Sequence, residues 1–417
     1  MYGPRRNRRA RRPPPSQSRS RLMTTQPAPA VPPRHFAFRM WVFFFGYFIV
    51  GGVVQPFFPL WLESRGLTAV EIGNCIAFPI LVRVLLTPFA GVFADRAPNR
   101  RFVICIFVVT GTIAFAFAGP AHGYWPILLT TGAGFVLWGL GLPVAEALTL
   151  TGVRRFGLDY GRMRLGGSVS FIIANLASGA LLGIVAPDAI FWMILAALGG
   201  AIAVSFTLPV TPRAVRALDD ASQGPRPSAW AVLARPGLIA LFVVGGLVQA
   251  SHAVLYSFGS IYWKSLGYDG VDIGGFWAIS IVFEVTLFIW SGLAVRTFGP
   301  FGLLLIGTLA AIVRWALFPL DMGPAGFAAL QALHALTFAA AYLGTQHLIA
   351  RSIPEELTAS AQGIFGMMSG ILLATSTAFA GPLYHSFGGD AYFFMTAPAC
   401  VALVILVVHR LSGAERA

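Results

Sequence analysis

An apolar chain that repeats itself at a fixed offset has few ways to fold, and this one repeats at 201 residues without a gap. Residues 61–83, WLESRGLTAVEIGNCIAFPILVR, lie over residues 262–284, YWKSLGYDGVDIGGFWAISIVFE. Ser64 meets Ser265, Gly66 meets Gly267, Val70 meets Val271, Glu71 meets Asp272, and Ile72–Gly73 meets Ile273–Gly274. The same offset carries Gly91 onto Gly292 and Asp95 onto Arg296, so the correspondence outlasts one helix. It also sets Arg83 against Glu284, two charges of opposite sign inside apolar runs. Glycines, a serine and an acidic position that all keep register mark a duplicated unit rather than two unrelated apolar stretches.

The duplicated unit belongs in a membrane. With 57% hydrophobic and 11% charged residues, the chain is excluded from the ordinary soluble globules. A membrane crossing takes about twenty apolar residues, and twelve such runs are present: roughly 39–62, 71–94, 102–119, 125–152, 165–186, 189–209, 237–263, 272–295, 301–320, 325–350, 357–386 and 391–409. Six fall in each copy. The expected fold is an all-α membrane protein with 12 transmembrane helices in two pseudo-symmetric six-helix bundles, residues 38–210 and 237–410. Repeats of this kind are the trace of transport proteins that bind cargo between two halves.

The polar stretch 211–236 reads as the linker between the bundles, and residues 411–417 as a short tail. Residues 1–37, rich in Arg and Pro, lack apolar periodicity and are expected to be disordered; Met23 offers an alternative start. All but four of the 29 basic residues fall on one side if both termini are cytoplasmic. Arg65 and Lys264 lie outside, and Arg83 and Arg314 lie in the bilayer. This positive-inside pattern predicts a multi-pass protein of the bacterial cytoplasmic membrane with cytoplasmic termini. The net charge of +13 then reflects topology, with no nucleic-acid partner implied.

Cys75, Cys105 and Cys400 stand alone in apolar runs, so neither a disulfide nor a metal site is expected. No phosphate-binding loop or dinucleotide fingerprint is present. No cofactor is expected, and no enzyme activity: the histidines lack a paired nucleophile or metal-ligand spacing. Transport by such a chain, working as a monomer, would draw on an ion gradient or run downhill.

The loop GVFADRAPNRR (91–101) resembles the cytoplasmic signature of the major facilitator superfamily: Gly91, then Asp95–Arg96, then the basic pair Arg100–Arg101. Pro98–Asn99 replaces the usual single glycine. The resemblance implies a cytoplasmic gate, with Gly91 allowing close helix approach and Asp95 and the arginines locking that side through charge pairs. A solvated positive loop is the competing reading. Residues 158–172 (LDYGRMRLGGSVSFI), 249–263 (QASHAVLYSFGSIYW), 283–291 (FEVTLFIWS) and 312–319 (IVRWALFP) resemble the phenylpropionate permease branch of that superfamily. That resemblance implies proton-coupled uptake of a small aromatic acid, with protons as the coupling ion.

The ionisable residues can be weighed on depth alone. Arg83 lies twelve residues from both Glu71 and Asp95, about 18 Å along a helix and hence mid-membrane; Asp272 and Arg296 place Glu284 in the same way. A charge there costs about 2.5–3.5 kcal/mol on insertion scales, so functional use is the default. A structural ion pair is the alternative. Glu146 and Arg314 are embedded but off-centre. Gln249, His252 and Tyr256 share one helix face, as do Tyr47, Gly51 and Gln55. Trp277 and Ser280 precede Glu284 by two turns and one turn, setting an aromatic wall beside a carboxylate. His334 with Arg314 and Glu284 is similar to the arginine, histidine and carboxylates of the lactose permease. Thr337 stands where that permease carries an acid.

Arginine stays protonated and can hold a carboxylate but not release a proton. Glutamate does the reverse, since desolvation disfavours its charged form and a neighbouring arginine favours it. The candidates are therefore Glu146, Glu284 and His334 for the proton. Arg83, Arg314, Gln249, His252, Tyr256, Trp277 and Gln55 are those for a small-molecule organic acid. Efflux of amphipathic compounds, sugar or nucleoside symport, and a non-transporting sensor remain open alternatives at this point.

Overall fold

Each copy of the repeat builds the same helical hairpin. Helix α1 (Phe36–Ser64) turns into α2 (Ala69–Arg96) through Gly66, whose φ of 77° suits glycine. In the second half α8 (Ala253–Ser265) turns into α9 (Gly270–Ile289) through Gly267, at φ 90°. Both second helices start with a capping box. Thr68 and Glu71 satisfy each other's backbone amides, as do Asp269 and Asp272. Ser64 and Ser265 each donate to a carbonyl three residues back, at 2.8 and 2.7 Å. The in-register residues of the repeat are thus the ones that cap and turn.

A computed structural model describes residues 32–211, 236–354 and 357–412, with positions 3 and 232 besides. Most of the tail and linker expected at 1–37 and 211–236, and the last five residues, lie outside the described residues. The first half continues with α3 (Arg100–Ala116), α4 (Tyr124–Phe156), α5 (Tyr160–Leu182) and α6 (Ala189–Ser205). The second half starts with α7 (Pro236–Ala250), which runs on into α8 past a break at Ser251–His252. After α9 comes α10 (Ser291–Leu317), broken at Gly299 (φ 66°) before Pro300, so residues 291–298 extend the α9 rod and 300–317 form the next. Then follow α11 (Gly323–Ala332), a π-helical stretch Ala335–Ala340, α12 (Ala341–Ser352), α13 (Thr358–Phe387), α14 (Ala391–Phe394) and α15 (Thr396–Leu411). Joined at these breaks, the described helices make twelve rods, six in each half.

Within the first half α1 packs on α5 and α6, and α4 on α2 and α3; in the second, α7 packs on α13 and α15, and α10 on α12. Between halves α2 meets α13, α5 meets α9, and α1 meets α8. These crossings are tightest on the side away from the termini, here the distal side. A methyl group on Gly73 would come within 3.0 Å of Gly381, and one on Gly274 within 2.6 Å of the Asn175 carbonyl oxygen. Both crossings therefore need bare backbone, and the repeat supplies its glycine at equivalent places. Lys264 at the end of α8 meets Glu63 at the end of α1 at 2.8 Å. Toward the termini, Gly91 on α2 and Gly363 and Gly366 on α13 have open space around them. The halves meet distally and part on the terminal side. The close helix approach expected at Gly91 is not seen in this conformation: among the described residues nothing lies within 4 Å of where its side chain would begin.

Candidate functional site

Between the halves lies a cavity of about 290 Å³. Helix α1 contributes Phe48 and Gln55, and α5 contributes Arg164, Gly167, Ser168 and Phe171. The second half supplies Tyr256 from α8, Trp277, Ser280 and Glu284 from α9, and His334 and Phe338 from the α11–α12 rod. Five aromatic rings thus surround a few polar groups, the usual make-up of a small-molecule site. Trp277 is fixed by its indole N–H donating to Ser260 Oγ at 3.0 Å, and it stacks on Tyr256 with centroids 6.3 Å apart.

Glu284 faces His334, Oε2 to Nε2, at 3.3 Å. Behind His334 lies Arg314, which is fully buried and does not reach the cavity. Its Nη1 donates to His334 Nδ1 at 3.2 Å and to Thr337 Oγ1 at 3.1 Å, and its Nη2 donates to Gln331 Oε1 at 2.5 Å. The guanidinium also lies 4.7 Å from the Trp315 ring centroid. His252 is buried next to this group, with Nδ1 3.0 Å from the Val248 carbonyl and Nε2 3.0 Å from Thr337 Oγ1. Glu284, His334 and Arg314 therefore form the sequence-expected group, arranged as a line running from the cavity into the packed second half. Thr337, in place of an acid, serves as its hydroxyl junction.

The first half presents a second charge pair that the sequence reading did not single out. Arg164 Nε donates to Glu146 Oε1 at 3.1 Å, and Tyr160 donates to Glu146 Oε2 at 2.8 Å. The guanidinium lies over the Phe48 ring at 4.0 Å and over Phe44 at 5.1 Å. A methyl on Gly167 would come within 2.6 Å of Arg164 Nη1, so the guanidinium occupies space that this glycine leaves free. Counted by sequence with the charges of the terminal side, Arg164 is a cavity residue as well. It sits a turn into α5 and lines the cavity because Glu146, on the facing α4, draws it inward. The one available signal was that both residues flank the turn at Gly157.

The remaining candidates sit elsewhere. Arg83 packs against α4 at Gly139, where a methyl would meet its Cδ at 2.6 Å, and it is not part of the cavity lining. Tyr47, beside it, donates to the Trp138 carbonyl at 2.6 Å and stacks on that indole. Gln249 is half-buried on α7 and does not line the cavity either. Where α2 gives way to α3, Asp95 in the last turn of α2 is 3.9 Å from Arg100 at the start of α3, which also donates to Thr151 Oγ1 at 2.7 Å. Arg101 donates to the Leu208 carbonyl at 3.5 Å, and Arg96 closes the last turn of α2.

With this geometry in view, the likeness to known proteins is decisive. The model of the MFS_1 like family matches residues 37–395. The chain belongs to the MFS_1-like family. This MFS_1-like protein is a multi-pass membrane transporter of the major facilitator superfamily and not an enzyme. It is 28% identical over 366 residues to a protein of Escherichia coli strain K12 named "Probable 3-phenylpropionic acid transporter", covering 87% of this chain and 95% of that one. That match agrees with the resemblance read from residues 158–172 and 249–263. Its fold is similar to the crystal structure of a mutant form of the nucleoside transporter NupG (TM-score 0.78, 17% identity, 90% of this chain and 99% of that one). It is also similar to a bacterial homologue of the human lysosomal transporter Spinster, crystallised inward-facing and unoccupied (TM-score 0.67, 16% identity, 92% and 96%).

Proposed function

We propose that this MFS_1-like protein imports a small aromatic monocarboxylate, of the 3-phenylpropionate kind, together with a proton. The observation that carries the reading is one cavity, walled by aromatic rings, with Arg164 contributed by one half and Glu284 by the other. Arg164 uses its Nε on Glu146 and offers its Nη fork to a substrate carboxylate. Phe48, Phe171, Trp277, Tyr256 and Phe338 contact the ring.

Charge balance supplies the reason for coupling. Arg164, Arg314, Glu146 and Glu284 sum to zero when both histidines are neutral. A carboxylate brought into this set leaves an extra negative charge in a poorly solvated space, and one proton on Glu284 restores neutrality. Glu284 suits that task better than Glu146, because Glu146 is held by Arg164 and Tyr160 whereas Glu284, among the described residues, is paired with His334 and with no guanidinium. With the termini in the cytoplasm of a bacterial cell, the distal contacts seal the outside, and the conformation described is the one that releases cargo inward. Rocking about the distal contacts would alternate access.

The test is uptake of labelled 3-phenylpropionate into proteoliposomes under an inward proton gradient. Accumulation is expected, and a protonophore is expected to collapse it. Glu284→Gln should lose gradient-driven accumulation while keeping carboxylate exchange across the membrane. Accumulation of nucleosides or sugars in place of aryl acids would sink the reading.

A further inference from the structure

We propose that Arg314 is a positioning residue that holds His334 as a neutral ring with its proton on Nε2, leaving Glu284 as the group of this pair that takes up the coupling proton. The inference rests on the reading given under Proposed function and deepens it by dividing the labour within one site.

The argument is a count of donors and acceptors. A guanidinium has five N–H donors and no acceptor. Arg314 Nη1 lies 3.2 Å from His334 Nδ1, so that nitrogen presents its lone pair. In a neutral ring the proton is then on Nε2, the nitrogen 3.3 Å from the Glu284 carboxylate. An imidazolium would turn an N–H toward the guanidinium N–H and set two positive charges side by side where no water reaches, since Arg314 is fully buried.

Arg314 has no room to turn away. Its Nη2 is held by Gln331, whose amide in turn donates to the Phe276 carbonyl at 3.1 Å, and its plane lies against Trp315. The other groups around His334 do not offer an alternative. His252, with its ring centroid 5.3 Å away, has Nδ1 against the Val248 carbonyl, so Nδ1 carries its proton and Nε2 accepts from Thr337. Tyr256 and Trp277 line the cavity beside Glu284, Phe338 stacks on His334 at 5.1 Å, and Arg164 faces Glu284 from the other half. Glu284 is the acid set against His334. His252 and His334 therefore carry opposite tautomers, fixed by a chain that starts at a backbone carbonyl and ends at the carboxylate.

The test is ¹⁵N NMR of histidine-labelled full-length protein in lipid, with His334 assigned by difference against His334→Gln. Between about pH 5 and 8, where a free histidine titrates, His334 should remain neutral and protonated on Nε2, and His252 neutral and protonated on Nδ1. An imidazolium signal or the Nδ1–H form at His334 overturns the proposal. In transport, His334→Gln supplies an amide with an acceptor and a donor in place of the ring; its maximal rate should fall because the residue lines the cavity, but the uptake it retains should still follow one titration that disappears in Glu284→Gln, and a flattened profile in His334→Gln also overturns the proposal. Arg314→Met should free His334 to titrate, adding a step to the profile that disappears in Arg314→Met/His334→Gln. Failure of the wild type to carry any aryl acid would count against the functional reading and leave the spectrum to decide the tautomer.

Discussion

Arg164 combines two properties that lysine lacks, a flat face and a fork. The face lies over Phe48 at 4.0 Å, and the fork divides its donors between Glu146 and the cavity. Lysine would keep the charge but hold it as a compact, strongly hydrated point with neither feature. In the proteoliposome assay Arg164→Lys should raise the KM for the aryl acid about tenfold, the equivalent of about 1.4 kcal/mol, with little loss of maximal rate. Arg164→Ala should all but abolish uptake, because Glu146 is then left with Tyr160 as its one named partner in a half-buried place. A lysine variant with wild-type KM would show that the carboxylate does not use the fork. Gly167 belongs to the same argument, since a methyl there displaces the guanidinium.

At the scale of helices, the residues that sequence could place are those whose relation is set by one helix. Trp277, Ser280 and Glu284 share a face by spacing alone, and all three line the cavity. Spacing along a helix gives depth but not which way a side chain points, which is why Arg314 looked like a cavity residue and lies instead in the packed second half. The Glu146–Arg164 pair spans two helices, and its long side chains meet across α4 and α5 from unequal distances along the chain. Phe48, Phe171 and Phe338 had no means of standing out among 35 phenylalanines. The repeat was legible for the opposite reason: capping boxes and turn glycines are local, so their physics is written in consecutive residues. Its glycines carry a prediction. Gly274 meets backbone, the Asn175 carbonyl oxygen, rather than a side chain that can move, so Gly274→Val should push the distal ends of α5 and α9 apart. A cysteine placed at Ser168, in a chain free of its native thiols, should then react faster with a membrane-impermeant thiol reagent applied from the distal side. Unchanged labelling would mean that this crossing does not control access.

The whole molecule is two copies of one bundle facing each other, and the Glu63–Lys264 bridge marks where their axis passes. These two residues are 201 positions apart, the offset of the repeat itself. Equivalent residues of a two-fold arrangement can touch only at the axis, where each meets its own counterpart. A charge duplicated unchanged would meet its like there and repel; opposite signs turn the same contact into an attraction. Arg83 and Glu284 show the same divergence in sign without a shared contact: Glu284 lines the cavity, and Arg83 packs against α4 at Gly139. The bridge is partly exposed, with side-chain exposures of 50% and 37%, and such pairs are worth ~0.2–1 kcal/mol. That is enough to bias access without locking it. Glu63→Lys should therefore favour the distally open state, by about fivefold at most on that energy, measured as the fraction of the Ser168→Cys thiol labelled from the distal side. The swapped pair Glu63→Lys/Lys264→Glu should return labelling to the wild-type level, because an axis contact is indifferent to which half carries which sign. A swap that labels like the single variant would place the control of the distal side in the glycine crossings alone, and leave the bridge as a surface contact without consequence for the cycle.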